Sequence, residues 1–320
     1  MERLVTVRAH CPDLVAYNLQ LRKDGRAMIR VTPGRASARP GVLVREWEIR
    51  WPLSEAWWYK ASVEQTLDFA DLLRLMDERA TAFRAAVAAA PSLDVQVPTC
   101  PEWTLFDLVQ HLGDGRRRWA ATVAAGPADA PPVMSAPVAP REREALLAWF
   151  AASTEELLDA LREAGPDRGC WTWWGDSQSP QTAGAVARHQ LQQVAVHTYD
   201  AQVAVGAPQP LPDEVALDGV DEFLTTCVAT TAAWPHKPAV LDYHATEGRS
   251  WRLWFSADGA RTARLSTPAA DEGSEVAYVS ARGTANELVM FCYGRITMDS
   301  LRLDGDRRVL DQLIAWEPEV

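Results

Sequence analysis

Two histidines in this chain stand where they could share one reaction centre. His111 lies in the run VPTCPEWTLFDLVQHLGDGRRRW (Val97–Trp119), and His197 lies in RHQLQQVAVHTYDAQ (Arg188–Gln202). Neutral imidazole nitrogens bind borderline divalent metals and carry protons near neutral pH. Gln193 precedes His197 by four residues, so on a helix both project from one face about one turn apart. A carboxylate at position 193 would complete an open three-ligand site with a place left for water, a thiolate or a substrate oxygen. The residue there is Gln, and its neutral amide oxygen offsets none of an ion's charge. Asp200 could orient an imidazole by a hydrogen bond, or be a solvated carboxylate near a helix end. His189 shares the face but lies about 12 Å along the axis from His197, so it could join a shared ion only under strain. Spacing alone leaves two readings open: a metal site, or two hydrogen-bonded histidines inside a helical bundle.

The elements that must place these residues follow from the apolar pattern. From Glu64 onward, Leu67, Phe69, Leu72, Leu73, Leu75, Met76, Ala80, Phe83 and Val87 recur at spacings of three and four, a helix stripe ending before Pro91. Pro98 and Pro101 then hold a loop extended. Thr104 and Asp107 have capping-box spacing, and Leu105, Leu108, Val109 and Leu112 form the stripe of the helix that carries His111. Pro127–Pro140 is a connector. A third helix spans Glu142 to about Ala164, and a fourth spans Thr182–Val205. Between them Trp171, Trp173 and Trp174 read as a lid over a core rather than a cofactor cage. Four helices with long crossover loops predict a four-helix bundle. After Gly206 the period changes. A helix over Asp213–Ala232 precedes strands at Ala239–Ala245, Trp251–Ala257, Arg261–Thr267 and Val276–Ala281, with Asp258-Gly259 as a hairpin turn. Ala285–Tyr293 reads as a buried helix, Leu301–Leu303 as a short strand and Arg307–Trp316 as a closing helix. The expected fold class is α+β, a bundle over 63–206 followed by a smaller mixed α/β domain over 207–320.

Residues 1–62 differ from the rest. They hold 11 Lys/Arg against 6 Asp/Glu, while residues 63–320 hold 21 against 37. Within them only Arg45–Trp51 alternates as a half-buried strand does, and one strand cannot stabilise itself. This segment is either a small appended element or upstream sequence preceding a natural start near Val63. The second reading is preferred because strong patterning begins only there. The net charge of −11 argues against nucleic-acid binding, which needs a basic face. No apolar run is long enough to span a bilayer, and no signal-peptide pattern opens the chain, so a cytoplasmic location is expected. The five cysteines never form C-x-x-C, which argues against a disulfide framework or an all-cysteine zinc site.

Three stretches carry a family resemblance: VPTCPEWTLFDLVQHLG (Val97–Gly113), HTYDAQ (His197–Gln202) and RGTANELVMFCYGRITMDSLRLDGDRRVLDQL (Arg282–Leu313). Together they resemble the maleylpyruvate isomerase family of mycothiol-dependent enzymes, over nearly all of residues 64–320 and none of 1–62. The resemblance implies a DinB-like bundle at the N-terminal side and an actinobacterial source. It also implies a divalent metal, usually zinc, held at the positions of His111, Gln193 and His197, with the family's glutamate replaced here by Gln193. An arginine of the C-terminal domain, matched to Arg295, is implied at the active site as an anion partner for a small carboxylate substrate. The implied activity is mycothiol-dependent, metal-assisted isomerisation or thiol S-transfer on a small electrophilic, maleylpyruvate-like substrate. Mycothiol and that substrate are the expected partners, with no nucleic acid and no membrane, for a monomer or homodimer. Gln193 motivates an alternative, a non-catalytic small-molecule-binding protein on the same scaffold. A metal hydrolase fits the ligand types but lacks a nameable general base.

Overall fold

The computed structural model describes the backbone of residues 15–21, 27–33 and 46–49, and in full residues 66–135, 137–265 and 276–316. The chain divides into two units, Met1–Thr66 and Leu67–Val320. In the first, β1 (Val15–Leu21), β2 (Ala27–Pro33) and β3 (Glu46–Ile49) form an antiparallel sheet in that order, with Leu19 opposite Ile29 and Ile29 opposite Trp47. The alternating run at Arg45–Trp51 therefore contains a strand, and pairing with β2 supplies what one strand lacks. The suggested start near Val63 lies outside the described residues, as does Cys11.

In the second unit four helices form, each with a capped start, and the first three each carry one apolar stripe. They are α1 (Phe69–Ala89), α2 (Leu105–Ala125), α3 (Arg143–Ala164) and α4 (Ala183–Ala204). Asp68 caps α1 by accepting from the Asp71 amide at 2.8 Å. Thr104 and Asp107 form a reciprocal capping box on α2, and such a cap contributes about 1 kcal/mol. α1 packs mainly on α4, and α2 mainly on α3. Gly113 makes the second contact close: a Cβ there would fall 2.0 Å from the Trp149 ring of α3. The glycine two residues after His111 thus fixes how near the histidine-bearing helix lies to its neighbour.

α4 differs from the others because it is buried nearly all round. Bundle helices cover one side, and α5 (Asp213–Phe223) covers the other. The helix expected over Asp213–Ala232 is shorter: after Phe223 it widens into a π turn, Leu224–Val228, closed by the Ala229 amide on the Leu224 carbonyl at 2.9 Å. Thr225, Thr226, Val228, Thr230 and Thr231 are β-branched, poor material for continuing a helix, and Thr230 instead pairs with Ala260.

The remaining strands are β4 (Ala239–Ala245), β5 (Ser250–Ser256), β6 (Gly259–Leu265), β7 (Ala277–Gly283) and β8 (Arg302–Gly305), ordered β6-β5-β4-β7-β8. Only β4 and β7 pair in parallel, so the sheet is mixed. Leu241, Tyr243, Trp251, Leu253, Val279 and Ala281 are buried. α6 (Ala285–Cys292) and α7 (Arg308–Ala315) lie against β4 and β7. The β5–β6 turn is Ala257-Asp258, one residue earlier than the Asp258-Gly259 turn expected, with Ser256 opposite Gly259. Gly259 is the first residue of β6 at φ +110°, and a Cβ on it would meet the Thr230 carbonyl oxygen at 2.0 Å. Its glycine character serves the approach of Thr230 rather than the turn itself.

Candidate active site

The proline loop before α2 is closed by its own backbone. The Val97 amide donates to the Trp103 carbonyl at 2.9 Å and the Trp103 amide to the Cys100 carbonyl at 2.8 Å. The Gln96 side-chain amide reaches the carbonyls of Pro101 and Trp103. Held this way, the loop sends Thr99 and Cys100 inward to α4 and lays Trp103 beside His111, ring centroids 4.6 Å apart. His111 and His197 meet edge to face at 5.4 Å between centroids and 82° between planes. The two histidine-bearing helices therefore present their imidazoles to one another, with Trp103 covering both.

Behind His197 lies Asp200, with no exposed surface. Its Oδ2 accepts from His197 Nδ1 at 2.8 Å and from Arg295 Nη2 at 2.6 Å. Its Oδ1 accepts from Thr99 Oγ1 at 2.7 Å and Arg295 Nε at 3.0 Å. The Cys100 thiol lies 3.8 Å from Oδ2. Burial opposes ionisation of this carboxyl, but the hydrogen bonds from His197 and Arg295 outweigh it and hold Asp200 well below the usual carboxylate range. An ionised carboxylate only accepts, so the neutral His197 imidazole carries its proton on Nδ1 and offers the Nε2 lone pair elsewhere.

His111 faces a cleft of about 430 Å³ walled by Glu102, Trp103, Asp107, Gln110, Asp114 and Arg118 as well as itself. Although the ring is exposed to this cleft, desolvation on its other side, then the neighbouring His197 and Arg118, push its pKa down to about 4. It is a neutral donor at neutral pH. Gln193 is half-buried one turn before His197, and its amide makes no hydrogen bond among the described residues. Arg295 is not free: besides Asp200 it donates from Nη1 to the Tyr293 carbonyl at 2.6 Å and from Nη2 toward Cys100 Sγ at 3.5 Å.

His189 stands apart from this pair. Its Nδ1 is 2.9 Å from Glu222 Oε1, and Trp119, Trp173 and Trp174 close around its ring. Burial opposes ionisation of Glu222, yet His189 and then Arg188 keep its carboxyl below the usual range. Tyr293 donates to the other Glu222 oxygen at 3.1 Å. Two histidine–carboxylate pairs thus line α4, and the Tyr293–Arg295 segment closes on both. Sequence reasoning missed Thr99 and Cys100, although both lie inside the proline motif, and Glu222, whose link to His189 has no local signal.

Two donor sets are conceivable for a metal ion. Cys100, His197 and Asp200 lie within 4.8 Å of one another through their ligand atoms. Their bonds are already committed, however, since both Asp200 oxygens accept two hydrogen bonds and His197 turns its protonated nitrogen toward them. The other set is His111, His197 Nε2 and Gln193. Two imidazoles on one tetrahedral ion, with bonds of about 2.0–2.1 Å, place their ring centroids about 5 Å apart, close to the 5.4 Å found. The pair is spaced as two ligands of one ion would be. Gln193, one turn before His197, would offer an uncharged third donor.

A bundle presenting paired imidazoles, one oriented by a buried carboxylate, joined to a small mixed sheet, defines a class of two-domain protein built around a helix-borne polar centre. The chain belongs to the mycothiol-dependent maleylpyruvate isomerase family. The mycothiol maleylpyruvate isomerase N-terminal domain model matches residues 73–202, and the C-terminal domain model of the same family matches 214–312. Among solved structures, the mycothiol-dependent maleylpyruvate isomerase shares 15% identity over 74% of this chain and 93% of its own, with a TM-score of 0.51. A histidine-to-alanine mutant of such an isomerase gives 14% identity, the same coverage and a TM-score of 0.50. These likenesses carry the fold. No curated protein sequence matches the chain. No helix among the described residues is long and apolar enough to cross a membrane.

Proposed function

We propose that this protein is an enzyme, a mycothiol-dependent isomerase or thiol S-transferase acting on a small electrophilic substrate of the maleylpyruvate kind. The observation that carries this reading is the contact of cleft-lining His111 with the buried His197, with Asp200 fixing the His197 tautomer. A divalent ion such as Zn²⁺, held by His111, His197 and Gln193, would lower the pKa of the cofactor thiol and polarise the substrate carbonyl. The chain's own residues prepare the site. Asp200 turns the His197 lone pair away from itself, Arg295 keeps Asp200 ionised, and Trp103 excludes water from one side. Arg118 is the cation in the cleft wall and meets the substrate carboxylate, because the Arg295 donors are committed to Asp200, Tyr293 and Cys100.

In isomerisation the thiolate sulfur forms a bond to one alkene carbon, and the π pair moves onto the conjugated carbonyl. The new single bond rotates, the pair returns, and the C–S bond breaks to release thiolate and the other geometric isomer. In S-transfer the adduct is protonated and kept.

Gln193 favours a second reading, a non-catalytic small-molecule-binding protein on the same scaffold. Metal content separates the two. In the enzyme reading the purified full-length protein carries near-stoichiometric zinc or nickel that His197→Ala loses, and Gln193→Glu binds it more tightly. A native chain without metal beside a metal-loaded Gln193→Glu chain would move the assignment to the binding protein. Unchanged affinity in Gln193→Glu would remove position 193 from the ligand set.

A further inference from the structure

A second cleft, of about 650 Å³, opens in the sheet half of the molecule and shares no lining residue with the His111 cleft. Phe223, Phe291, Ile296, Leu313 and Trp316 make its walls mainly apolar. Tyr243 comes into it from the middle of β4. That side chain is only 2% exposed, its ring lies 6.5 Å from that of Phe291, and its hydroxyl has no hydrogen-bond partner among the described residues. Elsewhere in the same half the tyrosine hydroxyls are engaged: Tyr278 with Asp242 and Tyr293 with Glu222, each at 3.1 Å. A phenol surrounded by apolar groups ordinarily finds a partner.

Two further features mark this end of the cleft. The π turn Leu224–Val228 places Cys227 and Val228 in the wall, and such turns recur at functional sites. Cys292 completes the surroundings, and burial pushes its thiol up to about 12. Burial likewise raises the Cys227 thiol. Charge is disfavoured here. At the rim Arg307 pairs with Asp299 at 2.9 Å, and among the described residues no other cation lines the cleft.

We propose that this cleft binds a small, uncharged, largely apolar molecule whose one polar oxygen meets the Tyr243 hydroxyl, with its apolar body against Phe223, Phe291, Ile296 and Trp316. The volume falls in the range of about 300–1,000 Å³ typical of small-molecule sites, which combine apolar walls with a few placed polar groups. The cleft shares no lining residue with the His111 cleft, and its wall residues Gly294 and Ile296 flank Arg295.

Calorimetric titration of the full-length protein with hexan-1-ol, octan-1-ol and octanoate at pH 8 tests it, using native protein, Tyr243→Phe and Ile296→Trp. Saturable alcohol binding is expected, about fourfold tighter for each added methylene, with octanoate at least tenfold weaker than octan-1-ol. Tyr243→Phe weakens octan-1-ol binding about three- to tenfold while leaving thermal stability unchanged or higher, because the hydroxyl has no bond to lose. Ile296→Trp fills the cleft and abolishes binding. Absence of saturable alcohol binding, octanoate binding as tight as octan-1-ol, or octan-1-ol affinity unaltered by Tyr243→Phe would each overturn the proposal.

Discussion

Asp200 concentrates more interactions than any other side chain described at the paired histidines, and its charge decides how they sit. Replacing it with Asn keeps the shape but leaves Arg295, with 14% of its side chain exposed, beside no anion. Removing one partner of such a pair costs about 3–5 kcal/mol, so Asp200→Asn is expected to lower stability by about that amount in urea denaturation. The sign of the pH effect follows from the lowered pKa. The stabilisation is complete above the unfolded carboxyl value of about 3.9 and is lost as pH falls below it toward the native value. Native protein should therefore lose more stability than Asp200→Asn on acidification from about pH 5 to about pH 3. Equal losses would mean that Asp200 is not the ionised centre described. At this scale the sequence was informative about His111, His197 and the orienting role considered for Asp200, because each sits in a helix with a clear local pattern. It was silent on the commitments of Arg295. That residue lies 95 positions from Asp200, and nothing in its neighbours tells a substrate-facing guanidinium from one spent on a buried carboxylate.

Elements with one apolar stripe and a capping residue were legible almost to their ends, as α2 with Thr104 and Asp107 shows. The misreadings occur where a distant strand sets the local conformation. The Thr225–Thr231 stretch leaves the helix to let Thr230 pair with Ala260, and the same pairing explains why Gly259 begins β6 rather than occupying the turn. Gly259→Ala should accordingly be costly, since it adds a φ of +110° to a Cβ 2.0 Å from a carbonyl oxygen. Strain of this kind costs about 1–3 kcal/mol before the clash is counted. The expected outcome is a loss of about 3 kcal/mol or more in denaturant unfolding. A change below about 0.5 kcal/mol would show that the Thr230 bridge does not constrain the hairpin. The His189–Glu222 pair belongs to the same lesson: helical spacing put His189 on the face of His197, but a carboxylate from α5 and three tryptophans claimed it.

In the whole molecule the bundle and the sheet are joined by charge as well as by apolar packing. Arg188 of α4 reaches Asp218 and Asp221 of α5, while Arg264 of β6 and Trp251 of β5 close on Asp221. The Tyr293–Arg295 segment, coming from the sheet half, then supplies the Tyr hydroxyl and guanidinium that hold Glu222 and Asp200. The polar centre on α4 is thus assembled by both halves, in keeping with family matches over residues 73–202 and 214–312. We propose that this centre performs thiol-dependent chemistry. The most direct test is cis–trans isomerisation of maleylpyruvate by the full-length protein, with and without mycothiol, beside His111→Ala and His197→Ala. Turnover is expected to require mycothiol and to fall at least about 100-fold in either variant, a loss of about 2.7 kcal/mol or more of transition-state stabilisation. Turnover that is indifferent to mycothiol or to both histidines, or none at all from correctly folded native protein, would contradict the proposal.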